Sequence, residues 1–127
     1  MDKKHLVLLV DDEPDILDMY SDTLREAGFD VITAVDGVQA VTISKEKMPD
    51  LILMDMKMPN MNGIDAFMRI KEDPATANIR IAFLTAFSDI GRTDIDEKAA
   101  KEMGAIDYIK KGISLDEFVT RVKGYFK

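Results

Sequence analysis

The chain contains no cysteine, a single histidine, and no apolar run longer than the five residues Leu6–Val10. Without cysteine it forms no disulfide, runs no thiol chemistry and presents no zinc-finger or iron–sulfur spacing. That composition fits a reducing compartment, and a cytoplasmic location is expected. A five-residue run is too short to cross a bilayer or to serve as a signal-peptide core. Basic charge is also scarce: 17 Lys and Arg stand against 24 Asp and Glu, for a net charge of −7 and a pI near 4.7. A nucleic-acid groove needs a basic stripe to displace counterions, so no direct nucleic-acid partner is expected. The lone His5, at the start of an apolar run, reads as structural or exposed and not as a catalyst.

What is present has the size and balance of one globular domain. The 127 residues are 46 % hydrophobic and 32 % charged, with no linker, repeat or low-complexity tract, and residues 1–127 read as a single domain. A chain of this length buries roughly two thirds of its surface on folding, so it needs no disulfide or structural metal.

Short apolar runs alternate with longer amphipathic ones. Strands are expected at Leu6–Val10, Val31–Ala34, Leu51–Met54, Ile81–Leu84 and Ile106–Ile109. The first and third are apolar on both faces, as befits central strands covered above and below. Helices are expected over Pro14–Ala27, Val38–Lys47, Asn62–Glu72, Thr93–Met103 and Leu115–Phe126. Pro14–Ala27 carries Ile16, Leu17, Tyr20 and Leu24 on one stripe, and Gly28 ends it. Asn62–Glu72 presents Ile64, Phe67, Met68 and Lys71, and Thr93–Met103 presents Ile95, Ala99 and Met103. The last helix opens on a Ser114/Glu117 capping box. Met54, Met61 and Met68 read as core filler. Strict β–α alternation requires parallel strands with helices on both faces, a doubly wound five-stranded α/β sheet. Functional groups then gather beyond the carboxyl ends of the strands.

Those ends carry Asp11-Asp12-Glu13, Asp55, Thr85 and Lys110-Lys111. Each has an ordinary reading: Asp11–Glu13 can cap the first helix, Asp55 can be a loop aspartate, and Lys111 a solvated lysine. On one sheet edge, however, three converging carboxylates repel one another unless a cation intervenes. An all-oxygen donor set without cysteine or nearby histidine suits Mg²⁺ or Mn²⁺. An aspartate beside such an ion can attack phosphorus to give an acyl phosphate, with a lysine and a threonine hydroxyl engaging the phosphoryl oxygens.

In order, LVLLVDDEPDI (6–16), AVDGVQAV (34–41), PDLILMDMKMPNMNGID (49–65), FLTAF (83–87) and GAIDYIKK (104–111) resemble the receiver domain of bacterial two-component response regulators along nearly the whole chain. The resemblance implies a flavodoxin-like sheet in strand order 2-1-3-4-5 with five helices. It implies Asp55 as phosphoacceptor, and Mg²⁺ (or Mn²⁺) held by Asp11, Asp12, Asp55 and the backbone carbonyl of Lys57. Thr85 and Lys111 would complete the catalytic set, Thr85 and Tyr108 the switch, and Ala86, Lys57 and Phe87 the surroundings of the phosphoryl group. Pro59 and Gly63 match the turn after the third strand. The implied partners are a sensor histidine kinase or histidine phosphotransfer protein, docking largely on the first helix where Met19 and Thr23 face outward, and a downstream protein or output domain. The domain itself would be a monomer or a weak phosphorylation-dependent homodimer.

One position departs from the family pattern. Gly112 stands where a proline usually follows the lysine, so a trans bond and a more flexible loop are expected there. Two other readings remain open: a pseudo-receiver that binds partners without phosphorylation, and an aspartate-nucleophile phosphatase. The second would want another aspartate two residues after the nucleophile, where this chain has Lys57.

Overall fold

In Leu6–Val10 and Leu51–Met54 every side chain is apolar, so neither face of either strand can meet water. The structure, a computed structural model describing residues 4–86 and 97–127, puts both in the middle of a sheet. The elements run β1 (Leu6–Val10), α1 (Pro14–Glu26), β2 (Asp30–Ala34), α2 (Gly37–Lys47) and β3 (Leu51–Asp55). They continue as α3 (Gly63–Glu72), β4 (Arg80–Thr85), α4 (Glu97–Met103), β5 (Asp107–Lys110) and α5 (Leu115–Gly124). All strand pairs are parallel, in the order β2-β1-β3-β4-β5, as the resemblance implied.

The two-residue period of the strands divides the apolar core in two. Leu8, Val10, Ile52, Met54, Ile81, Phe83 and Tyr108 face α2, α3 and α4, meeting Ala40, Phe67, Ile70 and Ala100. Val7, Leu9, Leu51, Leu53, Ala82, Leu84 and Ile109 face α1 and α5, meeting Tyr20, Leu24, Phe118 and Val122. Tyr20 stacks on Phe118 with ring centroids 4.3 Å apart, and Phe67 meets Phe83 at 5.4 Å.

Element ends depart from expectation for local reasons. Strand β3 runs one residue further, because Asp55 still pairs with Leu84 of β4. Strand β4 gains Arg80 and Thr85, and β5 is shifted one residue later to Asp107–Lys110. Helix α3 starts at Gly63 because Asn62 is its cap, accepting from the Asp65 N–H at 2.8 Å. Helix α5 keeps its Ser114 cap, which accepts from the Glu117 N–H at 3.1 Å, and ends at Gly124. Residues 93–96, including Ile95, lie outside the described residues.

Two helix faces differ from those the periodicity predicts. In α3 the buried side chains are those of Ala66, Phe67 and Ile70, while Met68 is 45 % exposed. In α4 it is Ala100 that is fully buried. Met54 is core and Met61 packs against it, as expected, but Met68 is not filler. His5 is exposed and stacks on Phe126 at 4.0 Å, the structural reading of that residue. Among the described residues no helix is long and apolar enough to cross a membrane.

Candidate functional site

Parallel register brings the strand ends to one edge: Val10 pairs with Met54, Asp55 with Leu84, and Thr85 with Lys110. The residues just beyond those ends are therefore neighbours in space. Asp11 is fixed first by its backbone, whose N–H donates to the Ala34 carbonyl at 3.1 Å. Its Oδ1 then accepts from the Glu13 N–H at 3.0 Å. Glu13 itself makes no side-chain cap for α1, so this acidic stretch is not primarily a helix cap.

Asp11, Asp12 and Asp55 each offer a carboxylate oxygen, and these oxygens lie within 4.8 Å of one another. Asp11 and Asp55 are buried, whereas Asp12 faces solvent. Lys111 joins the two buried members: its Nζ is 2.7 Å from Asp11 Oδ2 and 3.1 Å from Asp55 Oδ1. The lysine is held at its base too, since its N–H donates to the Thr85 carbonyl at 2.8 Å. The family resemblance sets this lysine beside Asp55. Its shorter contact is with Asp11, visible only once side-chain reach is known.

Charge is unevenly balanced here. Burial pushes the Asp55 carboxyl up to about 7, aided by Asp11 and Asp12 and opposed by Lys111. Burial also works against the Lys111 ammonium, yet hydrogen bonding to Asp11 and the charge of Asp55 hold its pKa above the usual lysine range. Three carboxylates against one ammonium leave the cluster anionic, with the exposed Asp12 at its open side. Hard oxygen donors, two of them buried, fit a small divalent cation that keeps part of its water.

The other expected residues fall around this cluster. Thr85 is fully buried, and among the described residues its Oγ1 makes a long 3.4 Å contact to the Ala86 carbonyl. Ala86 is half-buried beside it. Tyr108 is 7 % exposed and belongs to the core facing α2, α3 and α4, one strand from Phe83. Lys57 is exposed on the loop between β3 and α3. Phe87 lies outside the described residues. Of the two outward residues of α1, Met19 is 40 % exposed, whereas Thr23 is half-buried with its hydroxyl donating to the Met19 carbonyl at 2.8 Å.

Two glycines shape the site. A Cβ on Gly63 would lie 2.0 Å from the carbonyl oxygen of Asp55, so the first turn of α3 rests against the backbone of that aspartate. Gly63 also donates its N–H to the Met56 carbonyl at 3.0 Å, closing the β3–α3 loop. Gly112 has φ of +99°, with open space where a Cβ would be, and every described peptide bond is trans, as expected at this position. Proline could not adopt that φ, so the glycine selects a different loop path after Lys111.

Comparisons with known proteins identify the family. The family model described as response regulator receiver domain matches residues 7–123. The chain is 34 % identical over 121 residues to the DNA-binding dual master transcriptional regulator RpaA of Synechocystis, covering 95 % of this chain and 48 % of that protein. It spans about half the length of the DNA-binding regulators it matches. A response regulator of Desulfuromonas acetoxidans superposes with a TM-score of 0.81 at 30 % identity, covering 96 % of both chains. The receiver domain of the sensor histidine kinase PA1611 of Pseudomonas aeruginosa, solved with magnesium coordinated in its active-site cleft, gives 0.83 at 27 % identity, covering 97 % of this chain and 98 % of that one.

Proposed function

Since this chain belongs to the response regulator receiver domain family, a signalling family, we propose that residues 1–127 act as one receiver whose Asp55 is the phosphoacceptor. The observation that carries this reading is the convergence of Asp11, Asp12 and Asp55 within 4.8 Å, two of them bridged by Lys111. Asp11, Asp12, Asp55 and the Lys57 carbonyl would hold Mg²⁺ or Mn²⁺. When bound, such an ion offsets the negative charge that gathers on the transferred phosphoryl group.

An Asp55 carboxylate oxygen attacks the phosphorus of a phosphohistidine on a sensor kinase or phosphotransfer protein. The N–P bond breaks, its electron pair returns to the imidazole, and an acyl phosphate remains. Lys111, already at Asp55, turns its ammonium to the phosphoryl oxygens, and the Thr85 hydroxyl donates to another. Motion of Thr85 opens room toward which Tyr108 turns, shifting the population of the α4–β5–α5 face that a downstream partner reads. Attack of water on the phosphorus returns the carboxylate and inorganic phosphate. By the resemblance, Ala86, Lys57 and Phe87 would set the rate of that step.

The test is incubation with Mg²⁺ and acetyl phosphate, followed by mass spectrometry. One added phosphoryl group, absent in Asp55→Ala and after chelation, is expected. Modification at another residue, or none, overturns the assignment and favours a partner-binding module without phosphorylation.

A further inference from the structure

The loop between β3 and α3 carries the Lys57 carbonyl, and its placement depends on contacts far away in sequence. Asn60 sits at φ +67°, in the left-handed region that asparagine enters more readily than most residues. Its side-chain amide donates to Asp36 Oδ2 at 2.8 Å. The other oxygen of Asp36 accepts from the Gln39 N–H, also at 2.8 Å, and so caps α2. One residue on, the Gly37 N–H donates to the Met61 carbonyl at 3.0 Å. A Cβ on Gly37 would lie 2.4 Å from that oxygen, so only glycine lets the two backbones approach this closely.

Two adjacent residues of one loop thus hold two adjacent residues of the other. Asp36 is 8 % exposed, so its bonds compete little with water. The far side of this joint is tied to the acidic cluster, because Ala34 at the end of β2 accepts the Asp11 N–H. A continuous path therefore runs from Asp11 through Ala34, Asp36 and Asn60 to the loop that carries Lys57.

We propose that the Asp36–Asn60 hydrogen bond is a positioning contact for divalent-cation binding, holding the β3–α3 loop so that the Lys57 carbonyl faces the three carboxylates. It rests on the metal-site reading given above. Neither residue touches the ion; both act through the loop, as outer partners of metal sites do.

The test measures Mn²⁺ binding to the full chain by electron paramagnetic resonance of the free ion. Asn60→Asp sets two carboxylates face to face, and Asp36→Ser keeps a cap for α2 but cannot reach residue 60. Each is expected to weaken Mn²⁺ binding by about tenfold. The exchanged pair Asp36→Asn/Asn60→Asp reforms the bond with donor and acceptor reversed, while the amide oxygen introduced at position 36 still accepts from the Gln39 N–H. It should bind within about twofold of the parent. Asp12→Asn controls for the metal site itself and should lose binding outright. Unchanged binding in both single variants, or no recovery in the exchanged pair, overturns the positioning contact while the Asp12→Asn loss leaves the metal site standing. If the parent binds no Mn²⁺, or Asp12→Asn is without effect, the metal site falls and the positioning contact with it. Should Asn60→Asp fail to fold, Asp36→Ser and the exchanged pair decide alone.

Discussion

The Asp55 carboxyl contributes to the pH dependence of the domain's stability. Asp55 is pushed up to about 7 in the folded chain and has an ordinary value of 3.8. Between these values the folded chain keeps a proton that the unfolded chain has released. The stability linked to Asp55 is therefore complete below the unfolded value and lost as pH rises to about 7. Asp55→Asn, which cannot ionise, should be more stable than the parent at pH 8 by ~1–3 kcal/mol in urea unfolding without divalent ions, with the gap closing toward pH 4. A gap that stays constant with pH would contradict the raised value. The same proton competes with a cation, so Mg²⁺ affinity should climb between pH 6 and 8 in calorimetric titrations. The acidic residues, Thr85 and Lys111 were legible in the sequence because β–α alternation fixes which strand ends share an edge. The Asp36–Asn60 bond was not: aspartate and asparagine are ordinary turn residues, and a separation of 24 leaves no periodic trace.

The elements themselves were largely legible, since five short apolar runs and five amphipathic ones alternate without interruption. Helix α3 shows where periodicity fails. Lys71 and Met68 both have long apolar stems, and a stripe drawn through them misses the buried Ala66 and Ile70. Lys71 in fact turns its ammonium to the Ala77 and Ile79 carbonyls, tying α3 to the approach to β4. Glycine positions make the element-level predictions. Gly63→Ala puts a methyl against the Asp55 carbonyl and should cost about 1–3 kcal/mol or more in urea unfolding. Gly112→Ala meets no neighbour, and should cost only the left-handed backbone, about 1–2 kcal/mol. Gly112→Pro must abandon φ +99° for about −65° and should cost more than Gly112→Ala. Equal losses for the two would mean that the loop adopts another path.

Across the whole molecule, the sheet is a partition between two cores that share strands but few side-chain contacts. Ile70 lies on the α2–α3–α4 side and Ile109 on the α1–α5 side. Ile70→Val and Ile109→Val should each cost about 0.5–1.5 kcal/mol. Their double variant should equal the sum within about 0.5 kcal/mol in denaturant unfolding; a larger deviation would show that strain crosses the sheet. The partition was readable from the alternation of apolar residues in β1, β3 and β4, whereas the tight seat of α3 on β3 was not, because it depends on what Gly63 lacks. That seat gives the domain a mechanical property. With no side chain between Gly63 and the Asp55 carbonyl, no compressible layer separates α3 from the backbone of Asp55. A displacement of one is therefore expected to press on the other, and the exposed Met68 and Arg69 lie on the helix that would carry it.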